Sequence, residues 1–316
     1  MNSPKLSTTQ KLIKGLTNSS KPNISKISEN LNLSRQTILN YITKLRDKKI
    51  INHYTITQNP RPNLDYVIME IKTNPKEPHL VKSLLKIPQL KMLDGIFGEF
   101  SLIALFVFQS QKEFTQTLAK VDNIMAESYF KKYQFIETIK TYKINGIDLS
   151  EVKLKDYELD KEDLAILEIL QSRQKNKLLS TYDITRMLEN HYSIDISQST
   201  TYNRIKKMEN SGIILNYTVQ FRPRKLGYNG KFVIRIKPKN PSHYNELALE
   251  LVKMKEITHL YRVGEQFGIF AIVRVKEIKE YAHFIKALYK TGEIEDTFTN
   301  FVLDERYPFT NFSLFD

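Results

Sequence analysis

One stretch of the 316-residue chain carries amide, hydroxyl and cationic side chains along a single face of a predicted helix. The buried face of that helix is marked by Ile38, Ile42 and Leu45, which recur at helical spacing. A turn of about 100° per residue directs a polar set to the opposite face. The members of this set are Gln36, Thr37, Asn40, Thr43 and Lys44. Amide side chains match the edge of adenine and cationic ones match guanine, so this face is suited to reading the major groove of DNA.

The same pattern returns 163 residues later, so that Ser34 corresponds to Ser197. The segment SRQTILNYITKLRDKKIINHY, residues 34–54, is matched by SQSTTYNRIKKMENSGIILNY, residues 197–217. Such internal similarity indicates two copies of one folding unit. The outward positions of the second helix are Ser199, Thr200, Asn203, Arg204 and Lys207. Among them we expect Arg204 to be the best reader of guanine.

Residues at the ends of these helices complete the predicted DNA-contacting set. Arg35, Lys48 and Lys49 flank the first helix and are expected to contact phosphates, and Gln198 opens the second helix. Phosphate contacts position a helix without specifying sequence, and they make the affinity fall as salt rises. The alternative is that the polar residues only solvate two exposed helix faces, as most surface charge does.

The net charge of +13 favours an anionic partner, because clustered cations release counterions from a polyphosphate. Residues 1–60 contain 10 Lys or Arg and 2 Asp or Glu, whereas residues 151–229 contain 13 and 11. We therefore expect the first copy to supply most of the non-specific affinity for DNA, and the second copy to contribute register or discrimination.

Several classes of protein are excluded or disfavoured. Without cysteine the chain cannot hold a disulfide, a thiolate zinc site, an iron–sulfur cluster or a cysteine nucleophile. No P-loop, dinucleotide-binding, zinc-protease or nucleophile-elbow motif occurs, and the six histidines are scattered. We predict no catalytic residue, no metal site and no cofactor. No run of about 18 apolar residues and no secretory signal is visible, so a cytoplasmic location without membrane contact is expected.

Both copies predict the same order of elements. Three short helices come first, with Ser34 or Ser197 placed to cap the third, and Asp160 with Asp163 placed to cap the first helix of the second copy. Strands and helices then follow in the order β-α-β-β-α-β, which is typical of a ferredoxin-like antiparallel sheet. The predicted strands are 66–72, 91–97, 102–108 and 134–144, then 231–237, 258–263, 269–275 and 297–306.

The predicted fold class is α+β, with two repeats of a winged-type helix-turn-helix domain followed by a ferredoxin-like domain. The helix-turn-helix domains are predicted at 1–60 and 151–226. The ferredoxin-like domains are predicted at 61–150 and 227–316.

In this order the elements resemble the Lrp/AsnC family of transcription regulators. The stretch LDKEDLAILEIL at 159–170 resembles that family's opening helix, SGIILNYTV at 211–219 its segment after the reading helix, and TFTNFVLDE at 297–305 its last strand. The resemblance implies a sequence-specific regulator that binds double-stranded DNA. Members typically carry one unit and dimerise through the α+β domain. Two joined units therefore imply an intramolecular pseudo-dimer. We expect whole chains to form a homodimer with four helix-turn-helix domains, which we call reading heads.

The resemblance also implies a small-molecule effector site at the turn between strands two and three of each α+β domain. The matching residues are Gly98, Glu99, Ser101, Gly264, Glu265 and Gly268. Glycine lets backbone N–H groups approach a carboxylate because no Cβ intervenes, although it can also serve the turn alone. The family usually has Asp after the aromatic residue here. Ser101 and Gly268 stand in that place, which argues against ordinary amino-acid sensing.

Two other functions remain open at this stage. Siroheme decarboxylases resemble these regulators, also occur as fused pairs, and use His and Arg near the second strand. The stretch THLYR at 258–262 is a partial match to that pattern, whereas the first copy has KMLD at 91–94. An architectural protein that wraps DNA without sequence preference would also suit the lysine excess. We expect no enzymatic activity.

Overall fold

The computed structural model describes residues 7–18, 21–60, 64–155, 157–174 and 177–315. The chain forms two compact units. The helical unit comprises Met1–Arg61, Glu151–Leu226 and Phe309–Asp316, and the sheet unit comprises Pro62–Ser150 and Gly227–Pro308. Corresponding parts of the two copies thus fold together although they are far apart in sequence. The predicted boundary at residue 61 lies outside the described residues.

The first copy follows the predicted order. Its helices α1 to α3 form the first head, and they are followed by a strand: α1 (Thr8–Leu16), α2 (Ile24–Leu31), α3 (Arg35–Asp47) and β1 (Ile51–Gln58). The α+β domain contains β2 (Asp65–Lys72), α4 (Pro78–Leu84), β3 (Leu90–Ile96), β4 (Leu102–Phe108), α5 (Gln111–Ala126), β5 (Lys132–Ile144) and β6 (Ile147–Asp148). Ser34 accepts the N–H of Thr37 and caps α3, as predicted. The short β6, which pairs with the end of β5, was not predicted.

The second copy repeats this order. Its second head and linking strand are α6 (Lys161–Glu168), α7 (Thr181–Tyr192), α8 (Gln198–Asn210) and β7 (Ile214–Phe221). The α+β domain contains β8 (Gly230–Pro238), α9 (Tyr244–Leu251), β9 (Ile257–Val263), β10 (Ile269–Val275), α10 (Ile278–Tyr289) and β11 (Ile294–Glu305). Asp160 and Asp163 form the predicted reciprocal cap of α6, and Ser197 caps α8. A π-helical turn, Ile169–Arg173, continues α6.

Antiparallel pairing of β1 with β7 joins the two copies in the helical unit. Thr55 lies opposite Thr218, its equivalent in the other copy, so a pseudo-twofold axis passes between them. The end of each opening helix also reaches the strand of the other copy. The N–H of Tyr54 donates to the carbonyl just after the π-helical turn, and the N–H of Tyr217 donates to the carbonyl of Asn18. A shared β-ladder and crossed helix ends therefore set how the two heads lie relative to each other.

The end of the chain differs from the prediction. Residues 309–316 were assigned to the second α+β domain, but they belong to the helical unit. Thr310 and Phe221 exchange backbone hydrogen bonds of 2.9 and 2.7 Å. The ring of Phe312 is buried, 5.1 Å from the ring of Phe221. Burial of such aromatic side chains is favourable, which explains why the tail lies on β7.

The strands of the sheet unit form one antiparallel sheet in the order β2-β4-β3-β11-β8-β10-β9-β5-β6, and β2 also pairs with β5. This last pairing closes the sheet on itself. The halves β5-β2-β4-β3 and β11-β8-β10-β9 have the same order, which confirms the ferredoxin-like prediction for each copy. They join through β3 with β11 and β9 with β5. Helices α4 and α5 cover one half, and α9 and α10 cover the other.

A buried ion pair joins the two halves where equivalent residues meet. Glu70 on β2 pairs with Arg235 on β8, and the two side chains are only 3% and 10% exposed. The two residues are equivalent, because β4 and β10 are corresponding strands of the two halves. Glu70 lies opposite the second residue of β4, and Arg235 lies opposite the second residue of β10. Two identical copies would bring like charges together here, and neither charge would have a partner to offset its desolvation.

A second buried cluster lies between the same halves. Asp94 on β3 contacts Lys231 on β8 at 2.5 Å, and Arg274 on β10 donates to Glu305 at 2.5 and 2.8 Å. Burial raises the pKa of Asp94, and Lys231 opposes that rise. Burial also disfavours ionisation of Glu305, but Lys231 and Arg274 bring the pKa of its carboxyl down to about 2. The charges thus compensate one another across the junction.

Replacing Glu70 by Arg should place two guanidinium groups together in a buried site. We expect Glu70→Arg to lower the free energy of unfolding by about 3–5 kcal/mol, measured by denaturant unfolding. The double variant Glu70→Arg/Arg235→Glu should recover most of that loss, because it restores the pair in the opposite direction. Lys237→Glu, which breaks an exposed pair with Glu295 at 2.9 Å, is the control and should cost less than about 1 kcal/mol. Additive losses in the double variant would contradict the pairing.

Candidate nucleic-acid interface

Helix α3 turns its predicted polar face to solvent, and its aliphatic stripe is buried. Of the five predicted base-contacting residues, four are exposed and Thr37 is half-buried. The side-chain amide of Gln36 donates to Asn40 Oδ1 at 3.0 Å. The helix therefore presents two aligned amides, with Lys44 one turn further along. A helix in the major groove needs such a set of donors and acceptors at its exposed face.

Cations lie at both ends of α3. Arg35, Lys48 and Lys49 are all exposed, and Lys49 adopts a left-handed conformation (φ 52°) where the chain leaves the helix. Arg46 in the last turn is engaged differently, because its guanidinium lies 5.1 Å from the ring centre of Tyr54. The three cations predicted to contact phosphates are therefore all accessible to solvent at the ends of this helix.

Helix α8 carries the second polar face. Its inward stripe, Thr201, Ile205 and Met208, is buried. The exposed members of the predicted set are Gln198, Ser199, Thr200, Asn203 and Lys207. The helical projection from sequence therefore places these side chains on the solvent side in both copies.

Arg204 is the exception, because its guanidinium is engaged within the protein, which disfavours its predicted role as the guanine reader. Its guanidinium donates to Asp160 at 2.8 Å and to Asp163 at 3.0 Å, and it also contacts Glu162. Its side chain is 22% exposed, and that of Asp163 is 1% exposed. Burial disfavours the guanidinium charge, but the carboxylates of Asp160 and Asp163 raise the pKa of Arg204 above its usual value. Arg204 therefore ties α8 to the first turn of α6.

The sequence shows the acidic first turn of α6, with Asp160, Glu162 and Asp163, but it does not specify that Arg204 is their partner. The first copy has no such arrangement. Tyr41 stands at the position equivalent to Arg204, and the first turn of α1 has no acidic residue. In the second copy the carboxylates line a shallow cleft beside the polar face of α8. The cleft is lined by Tyr157, Glu158, Asp160, Asp163, Thr200, Asn203, Arg204 and Lys207. The second face is therefore less favourable to a polyanion than the first.

Two large side chains on the exposed helix faces were missed by a search for polar residues. Leu39 on α3 is 47% exposed, and Tyr202, its equivalent on α8, is 50% exposed. The same helical projection that selected the polar set also turns these positions away from the core, so it could have found them.

The first predicted effector turn lies between β3 and β4 and is open at its tip. Gly98 is exposed and has φ 147°, a conformation that favours glycine. The carbonyl of Phe97 accepts a hydrogen bond of 3.1 Å from the side chain of Asn300 on β11. This turn therefore sits at the junction of the two halves of the sheet.

The other two predicted residues of the first turn make contacts of their own. Glu99 points to solvent and pairs with Lys132 at 2.7 Å, which lowers the pKa of its carboxyl. Ser101 Oγ accepts the N–H of Thr73 at 2.8 Å and thus holds the end of β2. Ser101 therefore stabilises the end of β2, and Glu99 takes part in an exposed ion pair of the kind that contributes little to stability.

The second predicted turn, between β9 and β10, is filled by side chains of its own copy. Gly268 is buried with φ 80°, and a Cβ there would lie 2.2 Å from a guanidinium nitrogen of Arg262. That guanidinium lies 3.5 Å from the ring centre of Tyr244 and donates to the Gly268 carbonyl at 2.7 Å. Gly264 is exposed, and its N–H donates to the carbonyl of Glu137 on β5 at 3.0 Å.

Glu265 is half-buried in the same turn. One of its carboxylate oxygens is buried without a hydrogen-bond partner among the described residues. Burial raises the pKa of this carboxyl, and Arg235 and the backbone N–H groups of Phe267 and Gly268 oppose the rise. The Glu265 carboxylate therefore lies at the backbone N–H groups where the sequence predicted the carboxylate of an effector.

The residues that suggested an enzyme do not share a site. His259 is partly buried on β9, where burial and the charges of Lys231 and Arg274 lower the pKa of its imidazole to about 3. Its Nδ1 lies 3.1 Å from Thr258 Oγ1. Arg262 is engaged by Tyr244. Across the described ranges no group of His, Asp or Glu is arranged to hold a metal. Nor does any helix in the described part of the chain have the length and apolarity to cross a membrane.

Comparisons with known proteins fit a duplicated unit. The family model for the Lrp/AsnC ligand binding domain matches residues 231–312. The HTH-type transcriptional regulator FL11 of Pyrococcus furiosus is 34% identical over 145 residues, which are 46% of this chain and 89% of that protein. Regulatory protein AsnC of Escherichia coli K12 is 27% identical over 151 residues, or 48% of this chain and 93% of that protein. Each relative therefore aligns with about half of the present chain.

One solved structure is similar over nearly the whole length. The siroheme decarboxylase NirDL matches with a TM-score of 0.58, covering 93% of this chain and 90% of that chain at 12% identity. At this identity the likeness shows the fold alone. It supports two joined units, each with a helix-turn-helix and an α+β domain.

Removing the Arg204 guanidinium should destabilise the second head rather than abolish a base contact. In Arg204→Met, the buried carboxylate of Asp163 loses its cation, which we expect to cost about 1–3 kcal/mol of unfolding free energy. Denaturant unfolding measures the change, and adding Asp163→Asn should recover part of it. Tyr41→Met, at the equivalent position of the first copy, is the matched control and should have little effect. Unchanged stability together with a lost preference for one base would contradict this structural role.

Proposed function

Because this chain belongs to the Lrp/AsnC family, we propose that it is a sequence-specific DNA-binding regulator of transcription. The observation that carries this proposal is the exposed polar face of α3. That face has aligned amides at Gln36 and Asn40, and α3 has no acidic residue before Asp47. Amides in this arrangement suit adenine, and the cations at the helix ends suit phosphates.

The two heads are proposed to read DNA as one pair. Pairing of β1 with β7 gives them a pseudo-twofold relation, which is the relation that helix-turn-helix dimers use to read two half-sites. Identical heads read identical half-sites, whereas α3 and α8 differ in their exposed residues. We therefore expect two half-sites of different sequence within one binding site.

The first head is proposed to supply most of the affinity. It carries Arg35, Lys48 and Lys49 at the ends of its reading helix, all exposed. In the second head, carboxylates lie beside Asn203 and Lys207 in the cleft of α8. Repulsion of the DNA backbone by these carboxylates lowers the contribution of the second head, and the affinity of the whole chain should fall as salt rises.

Duplexes selected from a random pool by the full chain provide the test. Against a selected duplex, Asn40→Ala should weaken binding about 5-fold or more, since a good base contact is worth about 1–3 kcal/mol. Asn203→Ala, at the equivalent place in the second head, should weaken it less. Fluorescence anisotropy measures both, and Lys82→Ala, an exposed residue on α4, is the control. If the chain binds random duplexes as tightly as selected ones, it is an architectural DNA-binding protein instead.

The proposal assigns no enzymatic activity to the chain. The partial match to a siroheme decarboxylase consists of His259 and Arg262. Here His259 contacts Thr258, and Arg262 lies over Tyr244 and donates to the Gly268 carbonyl. These contacts support a structural role for both residues.

We extend the proposal to ligand sensing and to assembly. The open turn at Gly98 supports a small-molecule effector in the first copy, whereas Arg262 and Glu265 fill the second turn. Large apolar side chains stand beside the two turns. Phe97 is 80% exposed at the first turn, and Ile139, 65% exposed, adjoins Gly264 at the second. Such apolar surface supports contact between chains.

Whole chains are accordingly expected to form a homodimer with four reading heads. Multi-angle light scattering of the purified full chain should give twice the 37.1 kDa mass of one chain. Phe97→Ser/Ile139→Ser should shift the mass toward that of one chain, because it removes exposed apolar surface that a partner would cover. A single-chain mass for the unmodified protein would refute the homodimer.

A further inference from the structure

Leu39 stands on the reading helix of the first head, where the proposed function has assigned only polar contacts. It follows Gln36 by three residues and precedes Thr43 by four, so the three side chains are neighbours on one helix surface. Nearly half of the Leu39 side chain is exposed. The core of the head is filled by Ile38, Ile42 and Leu45, and Leu39 lies at the flank of this buried stripe.

The second head keeps a large side chain at the same place. Tyr202 on α8 corresponds to Leu39 and is half exposed. An exposed leucine or tyrosine taken singly is ordinary on a protein surface. Both copies, however, place one at the same helix position, beside the residues that face a groove. Each head therefore offers one large side chain at this place, and the chemistry of that side chain differs between the heads.

The major groove offers an apolar side chain one specific partner. Thymine displays its C5-methyl group there, and no other base of unmodified DNA has such a group. The hydrogen-bonded amides of Gln36 and Asn40, which suit adenine, lie on the same surface as Leu39. A surface that combines amides with an aliphatic side chain matches A·T pairs, which offer an adenine edge and a thymine methyl together.

We infer that Leu39 contacts the C5-methyl group of a thymine in the half-site read by the first head. This inference rests on the proposed function, because it requires α3 to enter the major groove. Contact between the isobutyl group and the methyl group removes apolar surface of both from water. The position thereby discriminates thymine from cytosine and from uracil in DNA.

Tyr202 offers a different surface to its half-site. The ammonium of Lys206 lies 5.8 Å from the centre of its ring, and Lys206 is itself paired with Glu209 at 2.6 Å. The first head has Thr43 and Arg46 at the positions of Lys206 and Glu209. The tyrosine ring also ends in a hydroxyl group, which requires a polar partner. The thymine methyl contact is therefore assigned to the half-site read by the first head.

The test uses the full chain and a duplex that it has selected. Each thymine is replaced in turn by deoxyuridine, which removes only the methyl group. For the unmodified protein, affinity should fall about 3- to 10-fold at one or two positions. Leu39→Ala should bind the thymine duplex about that much more weakly and should no longer distinguish thymine from deoxyuridine there. Tyr202→Ala is the matched control and should keep the discrimination at those positions.

The outcomes separate this inference from the function on which it rests. If the unmodified chain selects and binds a duplex but Leu39→Ala discriminates as well as before, the Leu39 contact is wrong and DNA reading stands. The same conclusion follows if no deoxyuridine position affects the unmodified chain. If the unmodified chain selects no duplex at all, the proposed function fails and this inference fails with it. Circular dichroism spectra that match the unmodified protein show that the Leu39→Ala variant is folded.

Discussion

The structure depends on opposite charges placed at equivalent positions of two related copies. Glu70 and Arg235 meet inside the closed sheet, where two identical copies would have brought like charges together. Desolvated charges are stable only when they are paired, so this contact favours association of the first copy with the second over association of either with itself. The Asp94 and Lys231 pair has the same effect across the neighbouring strands. The chain is thus a pair of complementary halves rather than a simple repeat.

The same divergence appears in the two heads. The β1 and β7 ladder preserves a pseudo-twofold relation about Thr55 and Thr218, which keeps the geometry of a symmetric reader. Within that frame α3 and α8 differ in the residues that surround their exposed polar faces. One is flanked by cations, and the other has Arg204 held by the acidic first turn of α6. A symmetric scaffold with unequal faces is suited to a site whose two halves differ in sequence.

The two turns of the sheet unit have diverged as well. The first leaves Gly98 exposed at the junction of the halves, and the second is occupied by Arg262 and Glu265. Fusing the copies allows this, because each mutation in a fused chain affects one of the two sites, whereas a mutation in a homodimer changes both. Duplication therefore lets equivalent sites in the two copies diverge independently.

The sequence by itself determined the repeat, the order of helices and strands, the caps at Ser34, Asp160 and Ser197, and the solvent-facing side of each reading helix. These features are encoded within a few turns of chain, where spacing and local hydrogen bonds decide the outcome. Only the tertiary structure decided which distant charges meet. Arg204 took partners more than 40 residues away, and Glu70 took one 165 residues away. Such contacts depend on how whole elements pack against one another, and no local pattern in the sequence specifies that packing.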